Sequence, residues 1–130
     1  MLKISDHLNA DELKCVLQRS DQRACWLVLS TWASILGLLA LVSAFPHPLT
    51  VLLVWLVLPG RQLGLSVLMH EAGHNTLFAT RGLNQWVGQW LCALPTLNDL
   101  NSYAMGHIAH HRLAGTPEDP DLPNYHAYPV

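Results

Sequence analysis

Charged residues are scarce in this chain: only 12% of its 130 residues are Asp, Glu, Lys or Arg, against 51% that are hydrophobic. A soluble domain of this length needs more charge on its surface, so the composition favours a protein embedded in a membrane. The seven Lys and Arg residues are scattered, and the lack of a basic stripe excludes nucleic acid as a partner. Paired cysteines are also lacking, so we interpret the three thiols as small apolar residues: Cys15, Cys25 and Cys92.

Two long apolar runs predict two transmembrane helices. The first, residues 26–45, contains no charge and carries an aromatic residue at each end, where interfacial anchors usually lie. A cleaved signal peptide is the alternative, but the 25 preceding residues are too long and too acidic for its amino-terminal part. The second run, residues 46–69, is apolar as far as Gly60. We expect its helix to cross the membrane, with Arg61 extending to the far interface, and to continue into water.

The distribution of basic residues predicts the orientation of these spans. Four Lys or Arg residues precede the first span, and none lies in the corner at 46–48. By the positive-inside rule, residues 1–25 are cytoplasmic and the corner is external, so the second helix returns to the cytoplasm. Within residues 1–25, Asn9 and Glu12 have the spacing of a capping box, which predicts a short amphipathic surface helix.

Residues 83–94 predict an amphipathic helix that lies in the membrane interface and ends at Pro95. A partly buried core helix is the alternative. An interfacial position keeps everything that follows on the cytoplasmic side, where the last 20 residues, 111–130, read as an irregular stretch. The apolar positions of the helix are Leu83, Trp86, Val87, Trp90, Leu91 and Leu94. Its polar positions are Asn84, Gln85 and Gln89.

Two histidine clusters predict a metal site. HEAGH, residues 70–74, and GHIAHHR, residues 106–112, space their histidines three or four residues apart, so on a helix each set shares one face. Imidazole suits zinc, copper, iron and nickel, but a catalytic zinc takes only three protein ligands, so five histidines suggest more than one metal. The candidate ligands are His70, His74, His107, His110 and His111. His7, His47 and His126 have no such spacing, and we interpret them as solvated or structural residues.

In this order after two spans, the clusters resemble the HxxxH and HxxHH histidine boxes of the membrane fatty acid desaturase and hydroxylase superfamily. The resemblance implies an all-α integral membrane fold: two transmembrane helices, the second extending into the cytoplasm, then an interfacial helix and a cytoplasmic histidine-rich helix. It also implies that the five histidines bind iron. Two irons in that family activate dioxygen to oxidise a lipid acyl chain, with electrons from a separate redox protein.

The family has a third box, again HxxHH, downstream of these two, and no second HxxHH motif follows His111 in the sequence up to Val130. His126 has no partner at the required spacing. We therefore expect residues 1–130 to be the amino-terminal part of such an enzyme, with residues 70–130 as its cytoplasmic or interfacial histidine-box region, and to be inactive alone.

Other interpretations of the motifs stay open. HEAGH also fits the HExxH motif of an intramembrane zinc metalloprotease, with Glu71 as general base and Asp119 or Asp121 as a further ligand. In a desaturase, Glu71 either lies on the helix surface or contacts the metal-binding side chains without binding the metal itself. A non-catalytic membrane remnant that keeps both boxes is the third reading.

Several residues near the clusters also have two readings. The acidic residues of the PEDPD stretch either orient ligand imidazoles or form a solvated turn, and we favour the turn. Two tryptophans either line a substrate channel or anchor the helix in the interface. The acidic residues are Glu118, Asp119 and Asp121, and the tryptophans are Trp86 and Trp90.

Overall fold

The computed structural model describes residues 9–124, and the described chain forms helices and no β-strand. The predicted all-α fold is confirmed for these residues. The elements in chain order are α1 (Ala10–Leu17), α2 (Asp21–Ala44), α3 (Pro48–Gly73), α4 (Arg81–Val87), a π-helix (Gly88–Ala93), a 3-10 helix (Leu94–Thr96), α5 (Leu100–Leu113) and a final 3-10 helix (Leu122–Asn124). His7 and His126 lie outside the described residues.

Helices α2 and α3 form an antiparallel hairpin, and each is long and apolar enough to cross a membrane. α2 begins five residues before the apolar run because Ser20 caps it, accepting a hydrogen bond from the Arg23 amide. His47 caps α3 with Pro48 in the first turn, and this histidine therefore has the structural role that was one of the two expected for it. The predicted capping box of Asn9 and Glu12 at the start of α1 is confirmed.

The core lies at the end of the hairpin where α2 begins and α3 ends. Along the rest of the two helices most large apolar side chains are exposed, as suits helices that face lipid. Cys92 is fully buried, as expected of a small apolar residue, whereas Cys15 and Cys25 are exposed. The core residues are Ala24, Val28, Leu68, Met69, Ala72, Leu77, Phe78, Val87, Cys92, Ala93 and Leu100.

The chain turns sharply after α3 because Asn75 adopts a left-handed conformation, with φ of 57°. The amide of Thr76 donates to the Glu71 carbonyl and that of Asn75 to the Ala72 carbonyl, the bonding pattern of a Schellman motif. The Arg19 guanidinium donates to the Asn75 carbonyl at 2.7 Å. The start of α2 therefore holds the loop that follows the HEAGH motif.

The segment from α4 to the 3-10 helix at Leu94–Thr96 corresponds to the predicted amphipathic helix, but its hydrogen bonding changes from α to π to 3-10. In the π-helix, the Leu91 carbonyl accepts a hydrogen bond from the Trp32 indole of α2 at 3.0 Å. The helix was expected to end at Pro95. The 3-10 helix ends at Thr96, and the next residue, Leu97, has a left-handed conformation with φ of 60°.

This segment packs alongside α3 rather than away from it. A Cβ added to Gly88 would lie 2.6 Å from the Ala72 Cβ, while Leu97 shares a cleft with Gln62. Ten residues of helix separate Ala72 from Gln62, so the segment follows α3 for about 15 Å. Its placement in a membrane interface stays a prediction.

One of the polar positions of that helix faces the core rather than solvent. Asn84 is fully buried, where its side-chain amide accepts from the Phe78 amide and donates to the Phe78 carbonyl, each at 2.9 Å. The loop between α3 and α4 needs this partner for its buried backbone groups. Trp86 and Trp90 are instead more than half exposed, and their proposed roles as channel lining or anchors stay predictions.

Helix α5 returns toward the end of α3. Asp99 caps it by accepting from the Ser102 amide, and Gln89 of the π-helix accepts from the Leu100 amide. A Cβ added to Gly73 of α3 would lie in van der Waals range of the Ala104 Cβ, so α5 passes close to α3 at this point. This contact places the second histidine cluster beside the first.

Candidate metal centre

Four imidazoles from the two motifs converge where α3 ends. His70 occupies the last turn of α3 and His74 is its C-cap residue, while α5 presents His107 and His111 one turn apart. The ring centroids of His70 and His74 are each 5.0 Å or less from that of His107. The ring centroid of His111 lies 5.0 Å from that of His74 and 4.5 Å from that of His107.

The donor atoms of these side chains suit a metal ion. One ring nitrogen from each of His70, His74 and His107 lies within 4.8 Å of the others, and the Nε2 atoms of His107 and His111 are 2.9 Å apart. Two nitrogens bound to one ion are separated by at most ~4 Å, given metal–nitrogen bonds of about 2.0–2.1 Å. The observed limit of 4.8 Å is within about 1 Å of that separation. The assignment of these histidines as iron ligands stays a prediction.

The surroundings favour the neutral form of two imidazoles of the cluster, His74 and His107. Burial lowers the pKa of His74, and the neighbouring His70 and His111 lower it further. The pKa of His107 is lowered mainly by burial and then by the surrounding histidines. A neutral imidazole retains the lone pair that binds a metal, so the environment favours ligation at neutral pH.

His110 lies at the edge of the cluster, with its ring centroid 6.0 Å from that of His107. Its Nδ1 is 2.8 Å from the Asp119 Oδ1 and 3.6 Å from the Asp121 Oδ2. The hydrogen bond to Asp119 raises the pKa of His110, and the same bond lowers the pKa of Asp119. Donation from Nδ1–H to the carboxylate leaves the Nε2 lone pair free for a metal.

The preference for a solvated turn at PEDPD was therefore wrong for Asp119. Only 7% of this residue is exposed, and its Oδ1 also accepts from the Asp121 amide at 2.9 Å. The turn after α5, in which Gly115 has φ of 81°, folds back so that Asp119 reaches the helix. Glu118 is exposed, as a solvated turn requires. The predicted irregular stretch begins only after Leu113, where α5 ends.

Tyr103 belongs to the site, although the sequence reasoning missed it. Its hydroxyl lies 3.0 Å from the His70 Nδ1, and its ring stacks on His107 with an interplanar angle of 12°. Burial raises the pKa of Tyr103, so the hydroxyl keeps its proton at neutral pH. The available signal was its position one helical turn before His107, which puts both side chains on one face of α5.

Glu71 is held by the turn that ends α3. Its Oε2 accepts from the Thr76 hydroxyl at 2.7 Å, and its Oε1 lies 4.0 Å from the His70 Nε2. About half of the side chain is exposed. Three converging histidines beside this carboxylate would also suit a hydrolytic zinc site, so the local geometry leaves the choice between hydrolase and oxidase open.

Fold and site together define a class: a helical protein with two helices able to span a membrane and a polyhistidine cluster at one end of their hairpin. The model of the family described as Fatty acid desaturase matches residues 46–129, a range that includes all five candidate ligands. The chain belongs to the fatty acid desaturase family, as its two histidine boxes predicted. The two apolar helices agree with a membrane location.

Three relatives illustrate the similarity. The chain is 34% identical over 99 residues to "Beta-carotene ketolase" of Paracoccus sp. (strain PC1), an alignment that covers 75% of the chain and 39% of the ketolase. It is 34% identical over 90 residues to "Delta(12) fatty acid desaturase" of Mortierella alpina, covering 65% of the chain and 22% of the desaturase. It is 36% identical over 83 residues to "Dihydrorhizobitoxine desaturase" of Bradyrhizobium elkanii, covering 62% and 22%.

The chain thus spans about two fifths or less of the length of these curated relatives. No solved structure matches it significantly. The relatives are desaturases and a ketolase, which are oxidoreductases. Family membership therefore favours the oxidase interpretation of HEAGH over the protease.

Proposed function

We propose that this chain is the histidine-box region of a membrane-bound, iron-dependent oxidoreductase that desaturates or hydroxylates the hydrocarbon chain of a lipid. The observation that carries the proposal is the convergence of imidazoles from two distant motifs, both within the family match. A hydrocarbon substrate agrees with the names of the ketolase and the Delta(12) desaturase among its relatives.

The residues of the chain have separate roles in this proposal. The five histidines hold iron, which when bound supplies the activation of dioxygen that C–H oxidation requires. Lowered pKa values at His74 and His107 keep these two imidazoles neutral. Asp119 holds the His110 ring by its Nδ1, which aims Nε2 away from the carboxylate.

We further propose that the complete enzyme binds two irons. Five imidazoles provide fewer donors than two irons require, so we expect a further HxxHH box to contribute in a protein of its relatives' length. For the same reason we expect the 130 residues alone to leave the lipid profile of an expression host unchanged. An external redox protein supplies the electrons, and the histidine end of the hairpin faces the cytoplasm.

Metal analysis tests the function. The enzyme containing this region, purified in a metal-sparing detergent buffer, should contain iron, and His→Ala at His70, His74 or His107 should abolish oxidation and lower the iron content. His47→Asn is the matched control, because it removes a histidine while it keeps a good helix cap far from the cluster. One zinc and no iron per chain would contradict the proposal.

A further inference from the structure

Tyr103 contacts both histidine motifs at once. Its hydroxyl lies 3.0 Å from the Nδ1 of His70 on α3, and its ring stacks on His107 of its own helix at a centroid distance of 5.2 Å. The ring centroids of His70 and Tyr103 are 6.3 Å apart. The side chain therefore bridges HEAGH and GHIAHHR without being a metal donor of the usual kind.

The packing of α5 on α3 fixes this position. A Cβ added to Gly73 would lie 3.5 Å from the Ala104 Cβ and 3.7 Å from the Tyr103 Cδ1, so the two helices touch just below the histidines. The phenol ring is partly buried there. Its hydroxyl reaches His70 across the helix interface, and the stacked ring restricts rotation of His107.

The hydrogen bond has a consequence for metal binding. A neutral imidazole carries one proton and one lone pair, so the partner of one ring nitrogen decides which nitrogen is left to bind a metal. When Nδ1–H of His70 donates to the Tyr103 hydroxyl oxygen, Nε2 keeps its lone pair. When the hydroxyl donates to Nδ1 instead, the ring proton sits on Nε2, and that nitrogen cannot bind.

We propose that Tyr103 is a positioning residue that holds His70 in the Nδ1–H tautomer, so that Nε2 binds the metal, and keeps the His107 ring beside it. This inference rests on the proposed function, because it requires a metal at the cluster. The chemistry is that of a metal-ligating histidine whose other nitrogen is bonded to an outer partner. Here the partner is a phenol from the second histidine helix.

Two substitutions separate the hydroxyl from the ring. Tyr103→Phe removes the hydrogen bond but keeps the stacking on His107, and Tyr103→Leu removes both. Met105→Leu is the control, since Met105 is on the same helix and 70% exposed. The purified 130-residue chain in detergent is titrated with Co²⁺, with visible absorption as the measure of binding. Histidine ¹⁵N NMR of the metal-free chain reports the tautomer of His70.

We expect Tyr103→Phe to weaken Co²⁺ binding by about 10–100-fold, the usual effect of losing an outer partner of a ligating histidine. The tautomer of His70 should shift away from Nδ1–H, while helix content by circular dichroism stays that of the parent chain. Tyr103→Leu should bind more weakly still, and Met105→Leu should bind normally. A general structural role would change helix content without a selective change at His70.

A failure of the proposed metal site and a failure of the proposed role of Tyr103 give different results. If the parent chain binds no Co²⁺, the metal site and the role of Tyr103 both fall. If the parent binds and Tyr103→Phe matches it in affinity and in tautomer, the positioning role is overturned while the metal site stands. Tighter binding by Tyr103→Phe would mean that Nδ1 is the ligand and the hydroxyl competes for it, which also overturns the inference.

Discussion

At the scale of single residues, Asp119 has the most specific relation to the candidate centre. Its carboxylate and the His110 imidazole form an ion pair at pH values between the lowered pKa of the acid and the raised pKa of the base. The stability that the folded chain gains from the lowered pKa of the Asp119 carboxyl is lost as the pH falls through that pKa. Stability from the raised imidazole pKa is lost as pH rises through it. The pair is therefore strongest in mildly acidic solution, and neutral His110 still donates at higher pH.

We predict that Asp119→Asn lowers the pKa of His110 toward its ordinary value, because the mutation removes the carboxylate whose hydrogen bond, and to a smaller extent whose charge, raises it. An NMR titration of the metal-free chain measures this shift. Iron content of the complete enzyme should fall as His110 loses its orientation. Glu118→Gln is the control, because Glu118 is exposed on the same turn. An unchanged pKa of His110 in Asp119→Asn would refute the pairing.

Glu71 distinguishes the two enzyme classes that HEAGH suggests. Glu71→Gln keeps the shape of the side chain, and its amide oxygen still accepts from the Thr76 hydroxyl. A protease would lose nearly all hydrolysis, because its general base is gone. We predict that the complete oxidoreductase retains measurable lipid oxidation, assayed by gas chromatography of the products. The oxidase assignment fails if the parent enzyme cleaves peptides and Glu71→Gln abolishes that cleavage.

At the scale of elements, the contact between the π-helix and α3 depends on Gly88. Its hypothetical Cβ meets the Ala72 Cβ at 2.6 Å and the Leu100 Cδ2 at 3.0 Å, and the Ala72 atom cannot rotate away. Three elements would therefore have to separate to admit a methyl group. His70 is on the same helix as Ala72 and His107 on the same helix as Leu100, so such a movement would also disturb the cluster.

We predict that Gly88→Ala destabilises the chain by about 1–3 kcal/mol, the usual cost of overpacking. The melting temperature in detergent should fall, and Co²⁺ binding should weaken. Gly82→Ala is the matched control within the preceding helix, because no atom lies within 4 Å of its added Cβ. Alanine also has the higher helix propensity, so this control should be neutral or slightly stabilising. Equal melting temperatures for the two variants would contradict the packing argument.

At the scale of the whole molecule, the shared metal site requires both histidine motifs to be on one side of the membrane. The hydrogen bonds of Asp21 to Thr80 and of Arg19 to Asn75 tie the start of α2 to the loop between the motifs. The corner between α2 and α3 is at the other end of the hairpin. A topology experiment therefore has a definite expected outcome.

We predict that single cysteines at Ala79 and Ala114 are protected from an impermeant thiol reagent in intact cells, whereas one at Pro46 is labelled. The three positions are exposed, and the native cysteines would first be replaced. Labelling after permeabilisation is the control for accessibility. If positions 79 and 114 fall on opposite sides, the shared centre is impossible. If all three labels are reversed, the centre survives and the predicted orientation is wrong.

The sequence by itself determined the features that depend on local pattern. Long apolar runs predict helices of spanning length, Asn9 with Glu12 predicts a cap, and steps of three and four residues put His107 and His111 on one helix face. These are properties of neighbours along the chain. Two histidine boxes in order were also enough to indicate the family.

Only the tertiary structure decided which of these residues meet. The packing of α5 on Gly73 brings His107 to His70 and places Tyr103 between the motifs, and the turn at Gly115 carries Asp119 back to His110. Such contacts depend on how helices distant in sequence approach and on where the chain reverses. Helical periodicity carries no information about that approach, which is why Asn84, polar on the wheel, is buried in the fold.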